Sequence, residues 1–323
     1  MINVCIVGYG AIGPVHAEIL ANLNNVKIYA VCDIVRERAD ECAKKYNCKA
    51  YYDFDECIKD KQIDYVHICT PHYLHFEMIT KALDAGKRVV VEKPAVMKKD
   101  ELGILFNKYD VTKIYPIVQN RTNICVQKIC ELISSNEYGS LIGIKGILTW
   151  NRDKKYYNSA SWRGTKAYEG GGVLINQAVH TLDLMSYFAG ESESVVAHAD
   201  NISLKDVIEV EDTMNAYINY KNGVKGLFYA TNAYSANSSI QLELDFEKKN
   251  LFYTHGLLLS GGEIICKDSN EFAGKSYWGN GHAKTLHNLY VSGSDFNLND
   301  IKETMDTMFA IYESAALNSK YPK

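Results

Sequence analysis

The residues of this chain whose types and spacing suit chemistry begin with Gly8-Tyr9-Gly10-Ala11-Ile12-Gly13, between an apolar run at 4–7 and Pro14. Where a strand runs into a helix, Gly8 permits the tight turn, Gly10 lets a pyrophosphate approach the main chain, and Gly13 lets helix pack on strand. Pro14 suits the first helical turn, where its missing N–H costs nothing. The tripeptide Glu92-Lys93-Pro94 follows Val89-Val90-Val91. It places Lys93 at the carboxyl end of a strand, where an ammonium can polarise a carbinol or carbonyl oxygen or relay its proton. In the segment GGGVLINQAVHTLD at 170–183, Asn176 and His180 are spaced i,i+4 and His180 and Asp183 i,i+3. On a helix these lie along one face. His180 is then suited to take a hydroxyl proton, Asp183 to orient or charge-stabilise the imidazole, and Asn176 to bind whatever the ring approaches.

These residues need elements to position them. From residue 1 to about 120, short apolar runs alternate with amphipathic helical segments, the pattern of a parallel sheet covered by helices. Strands are expected at 2–7, 26–32, 50–52, 65–70, 88–91 and 113–119. The second ends at Asp33, about 20 residues beyond Gly13, where a carboxylate accepts a ribose hydroxyl and repels a 2′-phosphate. NAD is therefore favoured over NADP, although Arg36 and Arg38 stand close by. Ligands of such sheets gather at the carboxyl ends of strands, which draws attention also to Thr70, Pro71, Asn120 and Arg121.

Beyond residue 140 the segments 142–150, 213–220, 224–232 and 240–246 alternate in polarity, which predicts a mostly antiparallel sheet. Asn222-Gly223 matches a two-residue type I′ hairpin turn, and Gly261-Gly262 marks a second reversal. Helices are expected at 171–187 and 299–317. The expected fold is α/β: an N-terminal doubly wound Rossmann sheet over 1–120, then an α+β domain with a large, mostly antiparallel open sheet over 121–323. The second sheet needs cover on its outer face, so self-association as a homodimer or homotetramer is expected, with the Tyr-rich strands as candidates.

Composition limits the alternatives. A formal net charge of −4 leaves no basic footprint for nucleic acid. No apolar stretch approaches a membrane span and the first strand starts directly after Met1, so a cytoplasmic, membrane-free protein is expected. Neither the nine cysteines nor the nine histidines show metal-ligand spacing, so no metal is expected.

Taken together, GYGAIGPVHAE at 8–18, CTPHYLH at 69–75, EKP at 92–94, QNR at 119–121, WRG at 162–164 and GGGVLINQAVHTLD at 170–183 resemble the Gfo/Idh/MocA family of NAD(P)-dependent sugar oxidoreductases along essentially the whole chain. The resemblance implies Lys93 and His180 as the catalytic pair. It implies cofactor contacts from Gly8 to Gly13, from Asp33, Ile34 and Arg38, from Thr70, Pro71 and His75, from Glu92, Lys93 and Pro94, and from Asn120, Trp162 and Arg163. Many relatives carry Asp where this chain has Asn176; a neutral amide is no base, so Asn176 is expected to bind substrate, with Tyr157, Gln177, Asp183 and Arg121 supporting. Arg121 or Arg163 could grip a carboxylate or phosphate. The implied reaction moves hydride between a secondary alcohol of a sugar or sugar derivative, a nucleotide-linked hexuronate among them, and NAD. An NAD-recycling lyase or hydrolase and a non-catalytic dinucleotide or sugar sensor remain as alternatives.

Overall fold

The computed structural model describes residues 1–268 and 281–318. Two compact units divide the chain, Met1–Gln119 with Phe272–Asp300, and Asn120–Glu271 with Ile301–Lys323.

In the first unit β1 (Ile2–Val7), α1 (Gly13–Ala21), β2 (Val26–Cys32), α2 (Arg36–Tyr46) and β3 (Lys49–Tyr51) wind in one direction. After α3 (Phe54–Ile58), the elements β4 (Tyr65–Ile68), α4 (His75–Asp84), β5 (Arg88–Val91), α5 (Lys99–Lys108) and β6 (Ile114–Pro116) wind in the other. The sheet order β3-β2-β1-β4-β5-β6, with every pair parallel, is the doubly wound Rossmann order. Helices cover both faces, so its strands are continuous apolar runs: Val89, Val90 and Val91 are all sealed from solvent. The strand expected at 113–119 is shorter, because Pro116 has no N–H to offer the ladder and a 3₁₀ turn takes over at Gln119–Thr122.

The second unit contains α6 (Ile124–Ser135), β7 (Leu141–Thr149), α7 (Lys154–Tyr157), α8 (Val179–Ala189), β8 (Ser192–Asp200), β9 (Thr213–Tyr220), β10 (Lys225–Thr231), β11 (Gln241–Phe246), β12 (Asn250–Thr254), β13 (Leu257–Ser260) and β14 (Glu263–Lys267). Its eight strands pair in the order β14-β13-β12-β11-β7-β10-β9-β8, antiparallel except for the β7–β10 pair. Alternation in β9 buries Met214, Ala216, Ile218 and Tyr220 while Tyr217 faces outward.

The two reversals differ from expectation in type. At Asn222-Gly223 the loop has three residues: the Tyr220 carbonyl accepts from Gly223 N–H at 2.9 Å, Tyr220 N–H donates to Val224 at 3.0 Å, and only Gly223 has a positive φ, of 90°. This is a type I turn with a glycine bulge, and Asn222 is held in it by donating to the Ala189 carbonyl at 2.9 Å. The two-residue reversal with both φ values positive is instead Gly261-Gly262.

The chain then returns to the first unit with α9 (Gly281–His287) and a π-helical turn at Asn288–Ser292, and ends in the second with α10 (Lys302–Asn318). The expected second domain over 121–323 is therefore interrupted. Leu286 and Tyr290 share the apolar core of Val4, Ile6 and Val31, and burying those side chains is what ties the segment to the first sheet.

Candidate active site

In the first unit the site is built where the winding direction reverses, between β1 and β4. Gly8 has φ of 87°, and a Cβ there would meet the Cys69 carbonyl at 2.9 Å. A Cβ on Gly13 would stand 2.3 Å from the Gly8 oxygen, so α1 can begin only where both are glycine. Among the described residues, no atom outside Gly10 and its two chain neighbours lies within 4 Å of a Cβ placed on Gly10. That open side, facing the first N–H groups of α1, fits a dinucleotide pyrophosphate. Asp33 accepts from Tyr9 N–H at 2.6 Å and Val35 N–H at 2.8 Å, tying the end of β2 to the glycine turn. Ile34 and Arg38 beside it are exposed.

The Glu92-Lys93-Pro94 loop leaves the carboxyl end of β5. Glu92 is buried; its Oε1 lies 3.1 Å from both His16 Nε2 and His282 Nε2, and its Oε2 accepts from Lys93 N–H at 3.3 Å. Burial alone would raise its carboxyl, but the hydrogen bonds from His16 and His282 hold it well below the usual range. On the other side of the loop His75 places Nδ1 2.7 Å from the Pro94 carbonyl and Nε2 2.8 Å from that of Thr70. Burial pushes His75 down while those two acceptors pull it up. Lys93 itself is half-buried, and the Lys93–Pro94 peptide is cis. Thr70 and Pro71 are half-buried on the loop after β4.

In the second unit the helix expected at 171–187 is a π-helical turn, Leu174–Ala178, followed by α8. Asn176 sits in the π turn and His180 in the first turn of α8. Asn176 Nδ2 donates to the buried Glu169, which also accepts from Gly164 N–H. Glu211 accepts from Gly172 N–H at 2.9 Å, Leu174 N–H at 3.2 Å and the Tyr312 hydroxyl at 2.8 Å, and burial raises its carboxyl. Gln177 donates to Tyr156 Oη at 3.0 Å and accepts from Asn232 at 2.8 Å; Asn232 also donates to Tyr157 Oη at 2.9 Å. Arg163 donates to Tyr156 Oη at 2.6 Å and lies over the Tyr156 and Trp162 rings. His180, in the first turn of α8, is half-buried among sealed neighbours.

Comparison with known proteins places this geometry. Residues 2–111 match the model of the oxidoreductase family with an NAD-binding Rossmann fold, and residues 126–252 match that of the GFO/IDH/MocA C-terminal domain. The chain belongs to the Gfo/Idh/MocA family. Its first unit is thus an NAD-binding Rossmann domain within an oxidoreductase family. Similar proteins include a levoglucosan dehydrogenase of Pseudarthrobacter phenanthrenivorans, 25% identical over 79% of this chain and 74% of that one. Another is the D-glucoside 3-dehydrogenase of Escherichia coli, 24% identical over 99% and 97%. In fold the chain is similar to the WlbA dehydrogenase of Bordetella pertussis, solved with NADH and UDP-GlcNAcA, with a TM-score of 0.84, 22% identity, and 98% and 97% covered.

Several expected roles in this Gfo/Idh/MocA chain change on inspection. Arg121 and Asp183 do not stand open to ligand: Arg121 Nε and Nη2 donate to Asp183 at 2.9 and 2.7 Å, and Thr304 adds a bond at 2.8 Å. With both oxygens so engaged, Asp183 anchors Arg121 and α10. His75 and Glu92 are struts within the protein, since their polar atoms are taken up by the chain. Asn120, Trp162 and Arg163 all lie in the second unit, Asn120 buried and the others half-buried. Sequence reasoning missed Glu169, Asn232 and the partners of Glu92. A visible signal for the buried chain behind Glu92 was His67, a histidine inside an otherwise apolar strand whose ring meets His16. Although the spacing suggested no metal set, the fold brings ligand atoms of His16, Glu92 and His282 within 4.8 Å of one another. Among the described residues no helix is long and apolar enough to cross a membrane.

Proposed function

We propose that this chain is an NAD-dependent dehydrogenase that moves hydride between a secondary alcohol of a sugar or sugar derivative and nicotinamide. The observation that carries the reading is Lys93, half-buried at the carboxyl end of β5 in an NAD-binding sheet, on a loop whose main chain is pinned by Glu92 and His75. Bound NAD supplies the hydride acceptor. His180 takes the hydroxyl proton, and Lys93 steadies the charge on the oxygen and passes the proton on. Asn176, Gln177 and Tyr157 bind sugar hydroxyls. Arg163, stacked on Tyr156 and Trp162, suits a phosphate or carboxylate, and a nucleotide-linked hexuronate is the finer candidate; the ligand of the WlbA structure supports it.

A thermal-shift screen of free sugars, inositols and nucleotide-linked uronates with NAD present identifies the substrate class, and turnover is then followed through NADH formation. Lys93→Met and His180→Asn are each expected to keep NADH affinity and to lose at least about a hundredfold in kcat. Wild-type turnover in either variant removes that residue from the mechanism.

A further inference from the structure

The first unit contains a seam of buried polar side chains for which the proposed reaction has no use. Tyr290 Oη lies 2.6 Å from His67 Nε2, and His67 Nδ1 lies 2.8 Å from His16 Nδ1. His16 Nε2 and His282 Nε2 each lie 3.1 Å from Glu92 Oε1. All five residues are at most 8% exposed. They come from β4, the end of β5, α1, α9 and the π turn after α9.

The proton positions follow from what each atom can do. An ionised carboxylate only accepts, so His16 and His282 both present Nε2–H to Glu92. Burial lowers His16 and keeps its ring neutral, so His16 Nδ1 is an acceptor, which obliges His67 to donate from Nδ1 and to accept at Nε2 from the Tyr290 hydroxyl. This leaves one tautomer each for His16 and His67, both neutral, and one buried negative charge at Glu92. Burial lowers His67 as well, in agreement with a neutral ring. A network of this kind is costly when only partly satisfied, so α9 docks with the whole seam formed or not at all.

We infer that His282 and Tyr290 are positioning residues for Lys93, acting through Glu92. Glu92 Oε2 accepts the N–H of Lys93, while its Oε1 is oriented by His16 and by His282, which lies 190 residues further along the chain. The carboxylate therefore carries the docking of α9 into the main chain of Lys93, and His75 holds the adjoining Pro94 carbonyl from the opposite side. The titratable groups that face Glu92 are His16 on α1, His67 and Cys69 on and after β4, His75 on α4 and His282 on α9, with Lys93 adjacent in the chain. Losing one donor raises the carboxyl of Glu92, weakens the bond its Oε2 accepts from Lys93 N–H and so loosens the loop that carries the Lys93 ammonium. The inference rests on the assignment of Lys93 proposed above.

The test uses the intact protein and needs no substrate. Labelling of Lys93 by trinitrobenzenesulfonate is followed by mass spectrometry across pH, with Lys98 and Lys99 as internal references and NADH fluorescence as a check on folding. His282→Leu and Tyr290→Phe are expected to raise Lys93 labelling at pH 7 at least threefold and to shift its pH profile to lower pH. His282→Gln, which keeps a donor, is expected to return within twofold of wild type, and NADH affinity and the reference lysines are expected to stay unchanged in all three. Nitrogen-15 imidazole spectra of the wild type are expected to show His16 as the Nε2–H and His67 as the Nδ1–H tautomer. Unchanged labelling in both His282→Leu and Tyr290→Phe overturns the inference, as does a His282→Gln variant as altered as His282→Leu. A stoichiometric metal retained on His16, Glu92 and His282 also overturns it, because it takes the Nε2 lone pairs that these tautomers deny. Full turnover in Lys93→Met sinks the catalytic reading and leaves the labelling and tautomer results standing, so the two failures are distinguishable.

Discussion

Arg121 and Asp183, 62 residues apart in sequence, form a two-pronged pair with Nε–Oδ2 and Nη2–Oδ1 distances of 2.9 and 2.7 Å, sealed from solvent and capped by Thr304. Removing one partner strands a buried charge, which costs about 3–5 kcal/mol. Asp183→Asn and Arg121→Met are each expected to lower the calorimetric unfolding temperature of the second unit, and Arg121→Met/Asp183→Leu together to recover much of the loss. If Arg121 instead grips substrate, Arg121→Met raises KM and leaves the unfolding temperature near wild type.

The glycine turn separates binding from folding. Among the described residues beyond its chain neighbours, nothing lies within 4 Å of a Cβ on Gly10, whereas one on Gly13 meets the Gly8 oxygen at 2.3 Å. Gly10→Ala is expected to leave the unfolding temperature of the free protein unchanged and to weaken NADH binding at least about tenfold, or about 1.4 kcal/mol. Gly13→Ala is expected to lose both. Fluorescence titration with NADH beside calorimetry reads the difference, and unaltered NADH affinity in Gly10→Ala argues against pyrophosphate at this turn.

Where a structural feature follows from neighbours in sequence, it was legible. β1, β2, β5 and β9 lie where apolar runs or strict alternation predict them, and Gly8, Gly13 and Asp33 fall into place because turn, helix start and strand end are local. The hairpin at Asn222-Gly223 was legible as a reversal but not in type, because Asn222 answers to a carbonyl of α8 as well as to its own strand. The π turn at Leu174–Ala178 has a pattern a continuous helix would share, so the sequence did not reveal it. The pairing of Arg121 with Asp183, the return of α9 to the first sheet, and the His16–His67–Glu92–His282 seam all join residues more than fifty positions apart. No spacing rule reaches that far.

Acid should weaken the first unit in a definite window. His16 and His67 are lowered by burial from their ordinary value of 6.5, so below that pH the unfolded chain takes up protons that the folded chain refuses. Their contribution is fully present above pH 6.5 and falls as pH drops from there toward the depressed folded values, at most about 1.4 kcal/mol per histidine per pH unit. The contribution of Glu92, depressed from 4.5, is present above that value and lost only as pH falls further. The unfolding temperature of the first unit is expected to fall between pH 7.5 and 5.5, and to fall less steeply in His67→Leu. An identical slope in that variant rules out the seam as its cause.

The outer face of the second sheet carries Val196, Tyr217 and Leu227 at 56, 45 and 47% exposure, and strand register sets them side by side across β8, β9 and β10. Helices cover the opposite face, and an apolar row of this kind costs free energy while it faces water. Self-association through this face is the expected outcome, with an interface of about 1,600 Å² sufficient for a stable pair. Sedimentation of the wild type at tens of micromolar is expected to show a dimer or tetramer. Leu227→Glu, which places a carboxylate in the middle of the row without touching the buried side of β10, is expected to shift it toward monomer with the unfolding behaviour of the isolated subunit retained. A wild type that sediments as a monomer would leave the row as bare surface and remove the association.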